Sequence, residues 1–369
     1  MLQPRYYFSP LINTNAYIAI GSVENNSVRS EGAEASPNKR KGSQALNYYN
    51  PGSKSYDDKD KPSNPERRYS NGEAYGIAIG KNTDVRDSSK DSNGIALGDY
   101  SKATGGLAMA LGSFSRAEKN GGIAIGIASR SSGINSLAMM RQSAATADFA
   151  TAIGTTALAE GKGSFAMGYS ARATGDQSIA IGAAETKKVA SGYNTPSAKY
   201  NADGNTVTQG ARSLAFGTKA RTSVAATDSM AFGSNSTTSG ANAVAVGNSA
   251  NAAASDAFAF GNTAQATGAN AIAMGRTAQA KQLNAIALGG QAKALEANAL
   301  AIGGTAEASK AGTMAIGTAS KASSNNSTAI GNDAEVTGEN SMALGAGAKI
   351  SSNNSIALGA GTEFNDPLV

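Results

Sequence analysis

Short runs of alternating apolar residues recur along most of this chain, and nearly every run ends in a glycine. Ile272-Ala273-Met274-Gly275 is typical, and such runs continue from Ile77 to Gly359. Most of these glycines follow one another at steps of 14 residues, with single steps of 16, 18 and 35 residues and with Met140 in place of one glycine. A fixed short period is the sequence signature of a repeat protein.

Each repeat unit predicts two short strands joined by two turns. In the typical unit, Ile272 and Met274 fall on one side of a strand and Ala273 on the other, because successive strand residues point to opposite faces. Ala278 and Ala280 form a second, shorter alternation. A unit of this length is too short for a helical repeat, so we predict a β-solenoid in which identical positions of successive coils lie above one another.

The turns carry two recurrent residues. An asparagine opens many units, and a second glycine often follows the first by seven residues. We predict that both occupy backbone dihedrals unfavourable for other residues, and that Met140 bulges or strains its coil. The asparagines are Asn135, Asn242, Asn270, Asn284, Asn298, Asn326, Asn340 and Asn354, and the second glycines are Gly105, Gly133, Gly161, Gly175, Gly240, Gly268 and Gly338.

The repeated strand is apolar on both faces, which is typical of a strand that is buried on both sides. A thin two-layer coil covers only one of these faces with its own chain. The other face needs an apolar partner, and another copy of the same chain is the simplest one. We expect alanine and glycine on that partner-facing side, where they would let the backbones approach closely. The pattern therefore predicts a homo-oligomer.

The composition restricts the chemistry. With 44 glycines in 369 residues, no tryptophan and 6% aromatic residues, the chain suits a thin, repeated core. It has no histidine and no cysteine, which excludes disulfides, imidazole and thiolate catalysis and the usual zinc sites. A phosphate-binding glycine loop is also missing. We therefore predict no enzymatic activity, no cofactor and no metal site.

Two long interruptions divide the repeats. The predicted organisation is an N-terminal cap and first repeat at 1–21, a charged and tyrosine-rich loop insertion at 22–75, coils at 76–182, a second loop insertion at 183–213, coils at 214–361 and the start of a neck at 362–369. The 18- and 16-residue steps predict longer turns at 84–91 and 221–228.

Insertions leave a solenoid as loops, and such loops often form its binding face. Tyrosine and arginine are frequent anchors of interfaces. The alternative is that the loops are solvated or cap the end, and we favour it for the second insertion. Acidic residues that nearly cancel the basic ones argue against nucleic acid. The candidate ligand-binding residues are Lys39, Arg40, Lys41, Tyr48, Tyr49, Tyr56, Arg67, Arg68 and Tyr69, and Lys187, Lys188 and Lys199.

Several units resemble a known family. Asn340-Ser341-Met342-Ala343-Leu344-Gly345 and Asn354-Ser355-Ile356-Ala357-Leu358-Gly359 are similar to the head repeats of trimeric autotransporter adhesins, the YadA-like group. The resemblance covers Ile77 to about Gly361, and the large charged insertions resemble the ubiquitous surface protein A type. It implies a left-handed parallel β-roll, a homotrimer, and display on a Gram-negative outer membrane through a stalk and an anchor.

That anchor is expected outside this sequence. No stretch of 18 apolar residues occurs, as a membrane-spanning helix would need, and 1–10 lacks the pattern of a signal peptide. The predicted function is therefore the head of a surface adhesin that binds host cells or extracellular-matrix proteins of the laminin, fibronectin or collagen class through multivalent contacts.

The sequence allows two alternatives to the adhesin function. A structural spacer or self-association module would need no host ligand. An ice-binding solenoid would need a flat threonine ladder, and Thr263, Thr277 and Thr305 begin one that Gln291 and Ala319 interrupt.

Overall fold

The computed structural model describes residues 18–20, 44–45, 77–80, 83–85, 94–186 and 202–365. The chain divides into two compact units, Met1–Thr155 and Thr156–Val369. Strands, turns and bends make up the described part of both units, without a helix. This agrees with the predicted all-β class.

Long strands of three residues alternate with short strands of two, apart from one hairpin in the second unit. In the first unit the strands are β1 (Ile18–Ile20), β2 (Gln44–Ala45), β3 (Ile77–Ile79), β4 (Asp84–Val85), β5 (Ile95–Leu97), β6 (Lys102–Ala103), β7 (Met109–Leu111), β8 (Arg116–Ala117), β9 (Ile123–Ile125), β10 (Arg130–Ser131), β11 (Leu137–Met139), β12 (Ala144–Ala145) and β13 (Thr151–Ile153).

The second unit holds most of the regular coils. Its strands are β14 (Leu158–Ala159), β15 (Phe165–Met167), β16 (Arg172–Ala173), β17 (Ile179–Ile181), β18 (Glu185–Thr186), β19 (Ala202–Asp203), β20 (Val207–Thr208), β21 (Leu214–Phe216), β22 (Arg221–Thr222), β23 (Met230–Phe232), β24 (Thr237–Thr238), β25 (Val244–Val246), β26 (Asn251–Ala252), β27 (Phe258–Phe260), β28 (Gln265–Ala266), β29 (Ile272–Met274), β30 (Gln279–Ala280), β31 (Ile286–Leu288), β32 (Lys293–Ala294), β33 (Leu300–Ile302), β34 (Glu307–Ala308), β35 (Met314–Ile316), β36 (Lys321–Ala322), β37 (Thr328–Ile330), β38 (Glu335–Val336), β39 (Met342–Leu344), β40 (Lys349–Ile350), β41 (Ile356–Leu358) and β42 (Glu363–Phe364).

Within each unit, strands pair in parallel with their equivalents in the next coil. In the second unit Ile272 lies opposite Ile286 in the ladder of long strands, and Gln279 lies opposite Lys293 in the ladder of short strands. A side chain on a strand therefore stacks on the side chain 14 residues away. The predicted parallel β-solenoid of 14-residue coils is confirmed.

The insertions interrupt the coils without ending them. Ile18 pairs with Ile77 and Gln44 with Asp84, so a short strand of the solenoid lies inside the predicted insertion at 22–75. In the second interruption, β18 and β19 pair as an antiparallel hairpin. β20 already belongs to the short-strand ladder, because Val207 pairs with Arg172. Residues within the predicted insertion at 183–213 therefore include a regular coil strand.

Alanine fills the interior of the coils. In one coil Ala273, Ala278, Ala280 and Ala285 are fully buried, whereas Met274 is 43% exposed. The small residue of each strand thus points inward and the large ones outward. The expectation that alanine lies on the partner-facing side of the long strand was wrong, because the interior of so thin a coil has room only for small side chains. Each buried methyl group contributes only about 0.8 kcal/mol, so stability has to accumulate from many coils.

In eight coils, asparagine allows the left-handed backbone of one turn. All eight predicted asparagines have φ between 51° and 58°, which confirms the prediction, since asparagine tolerates this region better than most residues. Their side chains also stack: Asn270 Nδ2 donates to Asn284 Oδ1 at 3.2 Å, and Asn284 Nδ2 donates to Asn298 Oδ1 at 3.1 Å.

The second glycines were predicted to have backbone dihedrals unfavourable for other residues, and this reason was wrong. None of the seven has a positive φ. A Cβ atom at Gly133 would instead lie 1.8 Å from the carbonyl oxygen of Ala147 in the next coil. Close approach of two backbones, not an unusual dihedral, favours glycine there.

The glycine after each long strand does need a positive φ. Gly275 has φ of 136°. Met140, which occupies the equivalent position in the first unit, has φ of 89° and is 51% exposed. A side chain in this region is unfavourable, so the predicted strain at Met140 is confirmed.

One of the two longer turns is visible. Seven residues separate β22 from β23, against five between β24 and β25, so the predicted lengthening near 221–228 is confirmed. Most of the other longer turn, at 84–91, falls outside the described residues.

Candidate binding surfaces

The candidate residues of the two insertions all lie outside the described residues. These are Lys39, Arg40, Lys41, Tyr48, Tyr49, Tyr56, Arg67, Arg68, Tyr69, Lys187, Lys188 and Lys199. Their role in binding stays a prediction. The surfaces that the structure does describe belong to the coils.

The long-strand face, formed by the first and third residues of each long strand, is apolar in both units. From β3 to β41, only Thr151 and Thr328 are polar among these outward positions. Phe216 and Phe232 stack on successive coils, with ring centroids 4.9 Å apart. Several of these side chains remain 40–66% exposed, Ile356 most of all. The face is a continuous apolar strip along each unit.

The short-strand face, formed by the first residue of each short strand and the residue after that strand, is polar. In the first unit three basic residues stack directly: Lys102 lies opposite Arg116, and Arg116 lies opposite Arg130. All three are exposed. Arg130 Nη2 lies 3.0 Å from Glu118 Oε2, and Lys102 lies opposite Asp84 in the ladder. We call these three residues the basic column.

The second unit carries a different column. Its outward residues alternate in sign over six successive coils, in the order Lys293, Glu307, Lys321, Glu335, Lys349 and Glu363. Lys293 Nζ lies 3.4 Å from Glu307 Oε2. Within the described chain, the other four side chains form no ion pair closer than 4.0 Å. We call this set the alternating column.

Aromatic residues occupy exposed turns of the first unit, and sequence reasoning missed them. The rings of Tyr100 and Phe114 stack with centroids 5.1 Å apart and planes 1° from parallel. Both residues have a left-handed backbone, with φ of 59° and 62°, which is uncommon for aromatic residues. Phe149 occupies the turn position that asparagine holds elsewhere, and it is 54% exposed. For Phe149, the available signal was an aromatic residue at a repeat position where asparagine is usual.

An ion pair bridges two turns of the second unit. Arg212 Nε donates to Asp228 Oδ1 at 2.6 Å, and Arg212 Nη2 donates to Asp228 Oδ2 at 2.6 Å. These hydrogen bonds from the guanidinium lower the pKa of Asp228 below its ordinary value. Both side chains are well exposed, so solvent screens the attraction.

A hollow of about 440 Å³ opens on the short-strand face of the second unit. Arg172, Val207, Arg221 and Thr237 follow one another there on successive coils. The valine is short and the two arginines on either side of it are long, so a recess forms above Val207. Hydroxyl and amide groups complete its lining.

Two kinds of site are missing from the described ranges. No group of three or more aspartate or glutamate side chains is placed there to hold a metal ion. Nor do those ranges contain a helix long and apolar enough to cross a membrane.

Comparison with protein families identifies the repeats. The profile of the YadA head domain repeat (two copies) matches nine stretches that together make up more than half of the chain. They are 92–115, 103–129, 117–139, 159–184, 225–250, 252–278, 280–306, 308–334 and 337–362. The chain belongs to the YadA head family. The resemblance predicted from the units at Asn340 and Asn354 is thereby confirmed.

One solved structure similar to this YadA head is the crystal structure of the collagen-binding domain of the Yersinia adhesin YadA. The two share 24% identity over 52% of this chain and 85% of the other, with a TM-score of 0.26. No curated protein sequence matches the chain.

Membership of the YadA head family supports an adhesin-type role, and heads of this family are exposed on the bacterial outer membrane. The ice-binding alternative fails on geometry. The Oγ1 atoms of Thr263 and Thr277 are enclosed and make no hydrogen bond within the described chain, so of the three threonines only Thr305 is exposed to solvent.

Proposed function

We propose that this YadA head works as a homotrimer on the bacterial surface and attaches to host cells or extracellular-matrix proteins of the laminin, fibronectin or collagen class. It acts as a binding module and not as an enzyme. The observation that carries the proposal is the apolar long-strand face, together with the family of the repeats.

That face needs a cover. Contiguous exposed apolar surface of this extent is unusual for a monomer in water and marks an interaction site. The partner has to be apolar at every coil and has to repeat at the same spacing. Another copy of the chain meets both conditions, and the YadA-like family supports three copies around one axis.

Trimerisation would leave the short-strand faces and the turns free to meet a host ligand. Three copies per head and many heads per cell multiply contacts that are individually weak, because each further contact forms at a high effective concentration. The proposed binding is therefore a property of the assembled head.

The first experiment measures mass and binding together. Analytical ultracentrifugation of the intact chain is expected to give three times the chain mass of 36.8 kDa. The trimer is then tested on immobilised laminin, fibronectin and collagen, with albumin as the control surface. A mass of one chain would refute the proposed trimer. If the trimer binds none of the three proteins, the proposed matrix ligand is refuted.

A second experiment asks whether the first insertion carries binding. Because Gln44–Ala45 belongs to a coil, deleting 22–75 would also remove a strand, so substitutions are cleaner. The variant Lys39→Gln/Arg40→Gln/Lys41→Gln is compared with Lys310→Gln, which removes charge from a turn of the second unit. If the insertion binds the ligand, the triple variant loses attachment while the control keeps it.

The alternating column favours a second candidate, self-association of two heads. If two copies lie antiparallel, Lys293 faces Glu363, Glu307 faces Lys349 and Lys321 faces Glu335, so every contact is an opposite-charge pair. Such a surface is complementary to itself under two-fold symmetry. Parallel heads would place like charges opposite each other.

Mixing charge variants tests this candidate. One variant changes Lys293, Lys321 and Lys349 to glutamate, and another changes Glu307, Glu335 and Glu363 to lysine. Each variant alone should fail to aggregate in light scattering, whereas an equal mixture should aggregate like the native head. Unchanged aggregation of either variant alone would eliminate the column as the contact.

A further inference from the structure

The recess above Val207 differs from the rest of the short-strand face. It joins two strands that are far apart in sequence, since Val207 follows Arg172 in the ladder after the second insertion and Arg221 follows Val207. Adjacent strands lie about 4.8 Å apart. The two arginines therefore stand roughly 10 Å apart at their backbones, with only a valine between them.

The lining is polar and positively charged. Hydroxyl groups of Thr174, Ser223, Thr237 and Ser239 and the amides of Asn205 and Gln209 surround the recess. Among the described residues, the lining contains no aromatic and no acidic side chain. Nucleic acid bases would find no ring on these described residues to stack on.

Three of these groups have unused binding capacity. Arg221 forms no ion pair within the described chain. Arg172 has only Glu160 near it, at 3.9 Å between Nη2 and Oε2, which is the outer limit of an ion pair. The Oδ1 atom of Asn205 is enclosed and accepts no hydrogen bond in the part of the chain that the structure describes. A buried acceptor without a donor is costly.

We propose that this recess binds an acidic saccharide, whose sulfate or carboxylate groups pair with Arg172 and Arg221 and whose hydroxyl groups bond the amides and hydroxyls between them. Guanidinium forms paired, planar hydrogen bonds with such oxyanions. Two acidic groups on neighbouring sugars can reach both arginines at once. The site lies on the polar face, opposite the strip that trimerisation would cover, and it does not depend on the proposed matrix ligand.

The test uses a heparin-derived oligosaccharide as the probe and isothermal titration calorimetry on the full chain. The variant Arg172→Gln/Arg221→Gln is expected to bind at least about ten-fold more weakly. The matched control, Arg116→Gln/Arg130→Gln, removes the same charge from the same face of the first unit and should change affinity less than about two-fold. If both variants lose the same affinity for the oligosaccharide, binding reflects general charge attraction and the proposed site is refuted.

Filling the recess separates shape from charge. Val207→Gln occupies it without changing the charge and should also weaken binding about ten-fold, because the saccharide no longer fits. Undiminished binding by this variant would contradict the proposal. Circular dichroism and the melting temperature check that each variant folds.

A de-sulfated form of the same oligosaccharide keeps the carboxylates and shows which acidic group the arginines bind. Loss of binding assigns the sulfates, and retained binding assigns the carboxylates. If neither form binds the native chain, the recess has no acidic saccharide ligand.

Discussion

The two faces of the same coils follow opposite rules. On the long-strand face nearly every outward residue is a large apolar one, whichever coil is considered. On the short-strand face the outward residue changes from coil to coil and can be basic, acidic, amide or valine. A surface that meets the same partner at every level has to be uniform, whereas a surface that recognises different ligands at different levels has to vary. We therefore infer that the long-strand face serves assembly and that the short-strand face serves recognition of ligands.

The largest expected effect comes from placing a charge on the uniform face. Leu288→Lys puts an ammonium group into the apolar strip, which costs about 2 kcal/mol or more per copy when that strip is covered. Sedimentation should show the trimer dissociating toward single chains. Gln265→Lys makes the same change in charge on the short-strand face and should leave the mass unchanged. Dissociation by both variants would erase the distinction between the faces.

A smaller effect is expected from the alternating column. Lys321→Glu would give three acidic residues in succession with Glu307 and Glu335, and like charges directly opposite each other destabilise a sheet by up to about 1 kcal/mol. The melting temperature should fall at low salt and recover partly at high salt. Lys310→Glu, in a turn outside the column, should change it much less. Equal shifts would show that stacking within the column is irrelevant.

Removing a charge from the basic column of the first unit should raise stability instead of lowering it. Arg116 lies between Lys102 and Arg130, so Arg116→Gln removes two repulsive contacts and should stabilise this unit by about 0.3 kcal/mol. The gain should vanish at high salt, where such repulsion is screened. Arg276→Gln, in a turn of the second unit, serves as the control. A loss of stability would mean that Arg116 makes favourable contacts that outweigh the repulsion.

The smallest expected effect lies on the turns, which belong to neither face. Because Arg212 lowers the pKa of Asp228, the ion pair stabilises the fold at pH values above the ordinary pKa of 3.8. That contribution is lost as the pH falls through the lower folded value. Melting curves of the native chain and Asp228→Asn should therefore differ slightly near pH 7 and converge in acid, once the pH is below the lowered pKa of Asp228. A difference that persists in acid would point to packing instead of charge.

Much of the fold follows from local sequence. The 14-residue period, the left-handed asparagines and the strain at Met140 all rest on residues within one coil, so the sequence predicts them. Which face of the long strand points inward did not follow from that pattern, because both faces are apolar. The second glycines show the limit of such reasoning. Their cause lies in the neighbouring coil, where the backbone of Ala147 approaches Gly133.

The candidate site in the second unit could not be predicted for the same reason. Arg172 and Val207 are 35 residues apart, and only the ladder shows that they are neighbours. Sequence reasoning assigned Val207 to an insertion, since it follows a long stretch without the repeat motif. The recess thus arises from a pairing across that stretch. The binding residues predicted within the insertions themselves remain untested.

The alanine interior has a consequence for how such a protein changes over generations. Since coils such as those at Ala273 and Ala287 are filled by the same small side chains, one coil can replace another without repacking. Duplication or loss of a whole 14-residue block would leave every remaining contact in register. Recombination can therefore change the number of coils in the head. Each remaining coil keeps the outward side chains of its own short strand.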